Sequence, residues 1–374
     1  MTDGTWSPSV DGREVTGESS RSPSGRKAGV ANANHAQPTP AWRRNLLERA
    51  ISVGSNLAAI IPLVALVGMV IVLIDYATPS IKYNGILHFI TSSPWSFGDL
   101  YGAVTTTNGV RHVPGAAFGA YPLIIGTLES SAIALVLALP VAIGAAIIVV
   151  EKLPPRLAAG IGMCLEILAG IPSVVIGVWG ALTFGPWVAK EIYPALTHLP
   201  NFPPFDIFRG SPGDGEGLLT SALVLAAMII PIIAATTRDL LRQVPETTKE
   251  GATALGLTDA EVFRSVQARW VWTGVVGAAV LGLGRALGET LAVSFVCGTQ
   301  DQVAHNIYGT MESIAAFIVT NLDTAQGDPT GLAVRAIAEL ALILMVITLF
   351  ANVAARLIVR RSSRGAALPV GAGF

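Results

Sequence analysis

The sequence predicts an all-α, polytopic membrane protein with about six transmembrane helices. Three observations carry this expectation. Of 374 residues, 52% are hydrophobic and only 13% charged, against roughly 25% charged in a soluble domain. The apolar residues gather into runs of about 20, enough to cross a hydrocarbon core about 30 Å thick. The Lys and Arg residues alternate between loops. Segments 1–50, 151–156, 238–269 and 356–364 hold seven, two, five and four, while 75–122, 188–217 and 299–331 hold two, two and none. The side rich in Lys and Arg is the cytoplasmic one, so both termini are expected inside.

Residues 1–41 are rich in Ser, Gly, Pro, Thr and Asn and poor in large apolar residues. Such a stretch buries too little surface to offset its ordering entropy, so a disordered cytoplasmic tail is expected. Residues 42–364 form the six-helix domain, and 365–374 a second cytoplasmic tail. The expected spans are 51–74, 123–150, 157–187, 218–237, 271–298 and 332–359. Pro140 and Pro231 fall inside spans, where neighbouring helices satisfy the freed carbonyls. Trp95, Phe97, Tyr101, Phe118 and Tyr121 precede the second span, and Phe202, Phe205 and Phe208 follow the third. These read as anchors at the membrane–water interface. Cys164 and Cys297 lie in apolar runs without ligand spacing and read as buried thiols.

The cytoplasmic segment 238–269 has helix signals of its own. Pro245 opens a short helix that ends at Gly256, a residue suited to the left-handed position beyond a helix end. Thr258 with Glu261 three residues on is a capping box for a second helix. Leu257, Val262, Phe263 and Val266 give that helix an apolar side. The expected unit is helix, glycine turn, helix.

Here the chain resembles the permeases of ABC importers, whose cytoplasmic loop reads E-A-A, three residues, G, nine residues, then I-x-L-P. Glu250, Gly251, Ala252 and Gly256 occupy its first part. Gly251 replaces the central Ala, and Arg269 stands where the final Pro belongs. Three further stretches are similar to the PstC-type permease subunit of the phosphate-specific ABC importer. They are Gly126-Thr127-Leu128-Glu129-Ser130, Ile171-Pro172-Ser173-Val174-Val175-Ile176-Gly177, and Gly282-Leu283-Gly284-Arg285-Ala286-Leu287-Gly288-Glu289-Thr290. The resemblance covers about residues 45–360. It implies a type I importer permease in the cell inner membrane, surrounded by lipid, that pairs with a second homologous permease. It also implies two copies of an ATPase docked on the Glu250–Gly256 loop and an external phosphate-binding protein. ATP and Mg would be bound by the ATPase, and no cofactor by this chain. Another oxyanion, sulfate or molybdate, stays open as cargo, as does, from a different class, an ATP-independent transporter or channel.

Charges inside spans are costly and normally face a polar interior. Arg285 with Glu289, and Arg335 with Glu339, are spaced i, i+4 and would share a helix face. An anion path needs cations tempered by nearby carboxylates, so that the anion is held and then released. The resemblance points to the same Arg285 and Glu289. The competing reading is a structural ion pair beside close packing at Gly284-x-x-x-Gly288. Ser173, after Pro172, offers a hydroxyl at a broken helix, a site type that binds anions in transporters. Glu129 and Glu166 read as helix–helix hydrogen-bonding groups.

The chain carries no GxxxxGK[ST], HExxH or GxSxG pattern. A transport subunit without its own ATPase site is therefore expected, not an enzyme. With a net charge of −1 and no basic patch interleaved with aromatics, nothing points to nucleic acid. His88, His112, His198 and His305 lack metal-ligand spacing.

Overall fold

The computed structural model describes residues 41–197, 213–298, 303–304 and 306–366. The two tails, Phe202, Phe205, Phe208, His198 and His305 lie outside the described residues, apart from positions 41 and 365–366. The chain divides into two units, residues 1–63 and 64–374. The first contributes the opening part of helix α1 (Ala41–Asn84), and all later elements belong to the second.

After α1 come a short helix α2 (Ile86–Thr91) and a hairpin of strands β1 (Thr105–Thr107) and β2 (Val110–His112). Asn108 and Gly109 both have positive φ, 53° and 75°. That Asn-Gly pair makes the two-residue turn whose twist matches a hairpin. Next are α3 (Tyr121–Ile147), α4 (Pro155–Ala169), α5 (Ser173–Trp179), α6 (Gly185–Trp187) and α7 (Tyr193–Thr197). The chain continues through α8 (Leu218–Arg242), α9 (Glu246–Ala254), α10 (Asp259–Val262), α11 (Ala268–Gly288), α12 (Leu291–Ser294), α13 (Ile314–Gln326) and α14 (Leu332–Ala366).

Among the described residues, five helical stretches are long and apolar enough to cross a membrane: Ser52–Asn84, Tyr121–Lys152, Leu218–Arg242, Asp259–Gly288 and Leu332–Ile358. Two of the expected spans differ from what forms. The stretch 157–187 is broken, with Pro155–Ala169 and Ser173–Thr197 meeting at 91°. The cause is local: Gly170 ends α4, and Pro172, with no N–H to give and an extended backbone, starts a new helix. The stretch 271–298 holds a helix only to Gly288. Glu289 turns extended, ψ 125°, before the short α12.

Helix α8 is the most buried span and the centre of the bundle. Small residues let its neighbours approach closely. On α3 the face is an alanine stripe, Ala134, Ala138, Ala142 and Ala146, all 0% exposed. On α11 it is Gly274, Ala278 and Gly282. A Cβ at Gly274 would lie 2.5 Å from Leu240 Cδ1, and one at Gly282 2.9 Å from Ile233 Cδ1. The close packing on α11 is therefore not at Gly284 and Gly288. Nothing meets a Cβ at Gly288, and only Asn352, at 3.7 Å, meets one at Gly284.

The end of the bundle bearing the β-hairpin has an aromatic core. Trp95 touches the rings of Phe89, Phe97, Phe118 and Phe317, with centroids 4.7–6.4 Å apart. Trp95 and Phe118 thus pack this end together, whereas Tyr101 and Tyr121 are exposed. The cysteines also diverge. Cys297 is buried, but Cys164 is exposed, because α4 buries only Ala158, Gly162 and Leu165 on one stripe.

Candidate functional site

Two regions collect the candidate residues, one at the end of the bundle bearing α9 and α10, the other where helices break inside it. Helix α9 runs from Pro245 to a Schellman-type end: Leu257 N–H donates to Ala252 O at 3.4 Å, and Gly256 N–H to Thr253 O at 2.9 Å. Gly256 has φ +87° and nothing within 4 Å of where a Cβ would stand, so only backbone geometry selects glycine here. The capping box forms, with the Glu261 carboxylate accepting from Thr258 N–H at 2.9 Å and Thr258 Oγ1 at 2.8 Å. Beyond Val262, one wider π-helical turn, Phe263–Gln267, leads into α11 without a break. Arg269 in place of proline keeps the backbone donor that this continuity needs.

Within the loop, Ala252 is the buried residue of α9, while Glu250 and Gly251 are exposed. A cavity of about 450 Å³ lies beside α9 and includes Glu151, Lys152, Lys249 and Glu250 in its wall. Lys249 Nζ stands 3.8 Å from Glu151 and 3.4 Å from Glu246, which ties α9 to the end of the α3 span. Leu255 is 83% exposed at the loop tip. Its exposure was not legible in the sequence, because Leu at a helix end looks like ordinary helix filling.

Inside the bundle, α5 and α12 pack together immediately after their respective breaks. A Cβ on Gly177 would lie 2.7 Å from Ala292 Cα. Ser173 opens α5, and Glu289 and Thr290 precede α12, so the breaks place Ser173 and Glu289 on the two segments that meet. The expected face shared by Arg285 and Glu289 does not form. The helix ends between them, and no ion pair joins them among the described residues. Arg285 is exposed, as are Gly277, Leu281 and Gly288, which follow one another along the same side of α11. Arg335 and Glu339 also part company. Arg335 is exposed at the hairpin end; Glu339 is 2% exposed, beside Ser80 of α1, with Oε2 unpartnered.

Glu166 is paired. Its Oε1 accepts from Arg238 Nη2 at 2.9 Å, and Asp239 Oδ1 lies 2.9 Å from the same nitrogen. The Arg238 side chain is buried and sits over Gly162, whose missing Cβ leaves room for it. The sequence signal was available: an arginine near the end of an apolar span with an acid in the preceding one. Glu129 makes no such bond among the described residues and borders a cavity of about 420 Å³ with Leu218 and Ile307. Around it, Gly126 and Thr127 seat the start of α13. Thr127 Oγ1 accepts from Ile314 N–H at 2.9 Å, and Gly126 leaves room for the Glu312 carbonyl. Cys297 is buried among core residues of α3 and α8. No cluster with metal-ligand character occurs among the described residues.

Residues 138–364 match the family model described as binding-protein-dependent transport system inner membrane component. The phosphate transport system permease protein PstC 1 of Mycobacterium tuberculosis is 55% identical over 85% of this chain and 94% of its own length. Proteins named phosphate transport system permease protein PstC are similar at lower identity. The one from Mesorhizobium japonicum is 36% identical over 81% of this chain and 87% of its own. That from Haemophilus influenzae is 40% identical over 65% and 76%.

Proposed function

Because the chain belongs to the family of binding-protein-dependent transport system inner membrane components, we propose that it is the permease subunit through which an ABC importer moves inorganic phosphate into the cytoplasm. The names of its relatives supply the cargo. The observation that carries the mechanism is Arg285, an exposed cation on an apolar span with neither an acid paired to it nor a helix covering it among the described residues. In lipid such a group is costly. It is tolerated where a partner or a watery path covers that face. A cation freed from a counter-ion also suits an anion path better than a structural salt bridge does.

In this reading the exposed side of α11 faces a second, homologous permease, and the path runs between them. Arg285 attracts the anion. Glu289, on the extended stretch beyond α11, tempers the field so that the anion is released. Ser173 offers a hydroxyl at the neighbouring break, where the new helix presents unsatisfied N–H groups. Arg335 and Glu339 act nearer the hairpin end, which faces outward and meets a phosphate-binding protein. Glu250, Gly251, Ala252 and Gly256, on the cytoplasmic side, dock one of two ATPase subunits. Those subunits hold ATP and Mg; this chain binds neither, and no nucleic acid takes part.

The test is uptake of labelled phosphate by the complex in vesicles, with sulfate and molybdate as competing cargoes. Wild type should take up phosphate in an ATP-dependent way and Arg285→Gln should not, while the variant chain still accumulates and retains its ATPase. Uptake at the wild-type rate by Arg285→Gln, or preference for sulfate or molybdate, refutes the reading.

A further inference from the structure

At the hairpin end, a cavity of about 520 Å³ is walled by Pro79 and Lys82 of α1, Asn108 and Gly109 of the hairpin turn, Arg111 of β2, and Thr330 and Arg335 at the start of α14. Cations are scarce on this side of the bundle. Segments 75–122, 188–217 and 299–331 hold four in all, and Arg335 adds a fifth. Three of the five, Lys82, Arg111 and Arg335, line this one cavity. Of the others, Lys190 has Glu191 at 3.8 Å, and Arg209 lies outside the described residues.

None of the three has an acidic partner among the described residues. The carboxylates closest in sequence to Thr330 and Arg335 are buried. Asp328 is buried and accepts from Thr330 N–H at 2.8 Å and Ala333 N–H at 2.9 Å, holding the start of α14. Glu339 is buried beside Ser80. The scaffold keeps the three elements together. Asn108 Nδ2 donates to Lys82 O at 3.4 Å, and the Asn-Gly turn sets the register that pairs Thr107 with Val110, next to Arg111.

Three uncompensated cations from three separate elements create a local positive field, and a concave wall focuses it on small anions. At roughly 30 Å³ per water, the cavity holds on the order of 15 water molecules. An anion there keeps much of its hydration, and binding is weak and reversible. We infer that Lys82, Arg111 and Arg335 form a low-affinity site for a free, hydrated phosphate-class oxyanion at the outer mouth. The site concentrates cargo ahead of the Arg285 region. The inference rests on the importer reading for its direction, but its binding test does not depend on transport.

The experiment uses the full chain in zwitterionic nanodiscs and follows the ³¹P linewidth of inorganic phosphate, whose signal is separate from that of the lipid headgroups. Wild type should broaden the phosphate line, and salt and sulfate should reverse the effect. Removing each cation should weaken binding about fivefold, as expected for one contact pair of charges in water. The triple variant Lys82→Gln/Arg111→Gln/Arg335→Gln should then bind about a hundredfold more weakly. Arg111→Glu alone, at an exposed strand position, should also bind more weakly in a chain with unchanged helicity. No broadening by wild type, or equal broadening by Arg111→Glu, overturns the site. So does an effect on the headgroup line alone, which would assign the cavity to lipid. Loss of affinity for the external binding protein with an unchanged phosphate line overturns it as well. Failure of wild-type uptake with binding intact would count against the importer reading and leave the site standing.

Discussion

Gly256 is the position where a single Cβ should uncouple the chain from its ATPase. At φ +87° with nothing within 4 Å, a substituent meets no neighbour, so its whole cost is conformational. A β-carbon in the left-handed region costs roughly 1–2 kcal/mol, and a β-branched side chain is a rarer outlier there. That is a factor of about 5–30 in the population of the Schellman turn. If this turn is the form that docks, affinity for the ATPase falls by up to the same factor. Asn, which visits the left-handed region more readily, should behave nearly as glycine. Ala should be intermediate and Val the weakest. The loop lies outside the apolar core, so all three variants should insert and show wild-type helicity. The assay is titration of the purified ATPase onto the reconstituted permease complex, with phosphate uptake measured in parallel. Wild-type affinity for Gly256→Val, or Asn no better than Val, would show that the turn does not organise the docking surface.

Other consequences can be checked together. Gly177→Val should force α5 from α12, because the 2.7 Å neighbour is the Ala292 backbone. A loss of about 1–3 kcal/mol should appear as a lowered melting temperature together with reduced uptake; an unchanged melting temperature would deny the close approach. Glu166→Gln should cost about 1.5 kcal/mol, the low end for a hydrogen bond to a charged group, since Asp239 still holds Arg238; denaturation in mild detergent measures it. In the native chain, an alkylating reagent should label the exposed Cys164 and spare the buried Cys297; peptide mass spectrometry reads both sites. In a cysteine-free background, an impermeant reagent outside intact cells should label Thr105→Cys and not Leu255→Cys; the reverse pattern would invert the orientation.

The two-helix segment α9–α10 was the most legible part of the chain. Pro245, Gly256, Thr258 and Glu261 act on backbone groups within a few residues of themselves, and such local chemistry shows in one dimension. The membrane class was equally plain, because span length and the scarcity of charge are properties of composition. What the one-dimensional pattern could not supply was how helices end inside apolar runs. Periodicity carries on through Ile171-Pro172 and Glu289-Thr290, yet the backbone turns there, and the expected Arg285–Glu289 pair comes apart; Arg335 and Glu339 stay on one helix but differ in burial.

The sequence by itself determined that the chain is a helical membrane protein with a capped two-helix loop, since propensity, capping and hydropathy act over one or two turns. Only the tertiary structure decided which charges meet. Glu166 found Arg238 72 residues away. Lys82, Arg111 and Arg335 reached one cavity from three elements, and Arg285 was left without an acidic partner among the described residues. The physical reason is that electrostatic energy depends on distance in space. That distance is set by small residues such as Gly162, Gly177 and Gly282, whose missing side chains admit a neighbour that sequence spacing does not name.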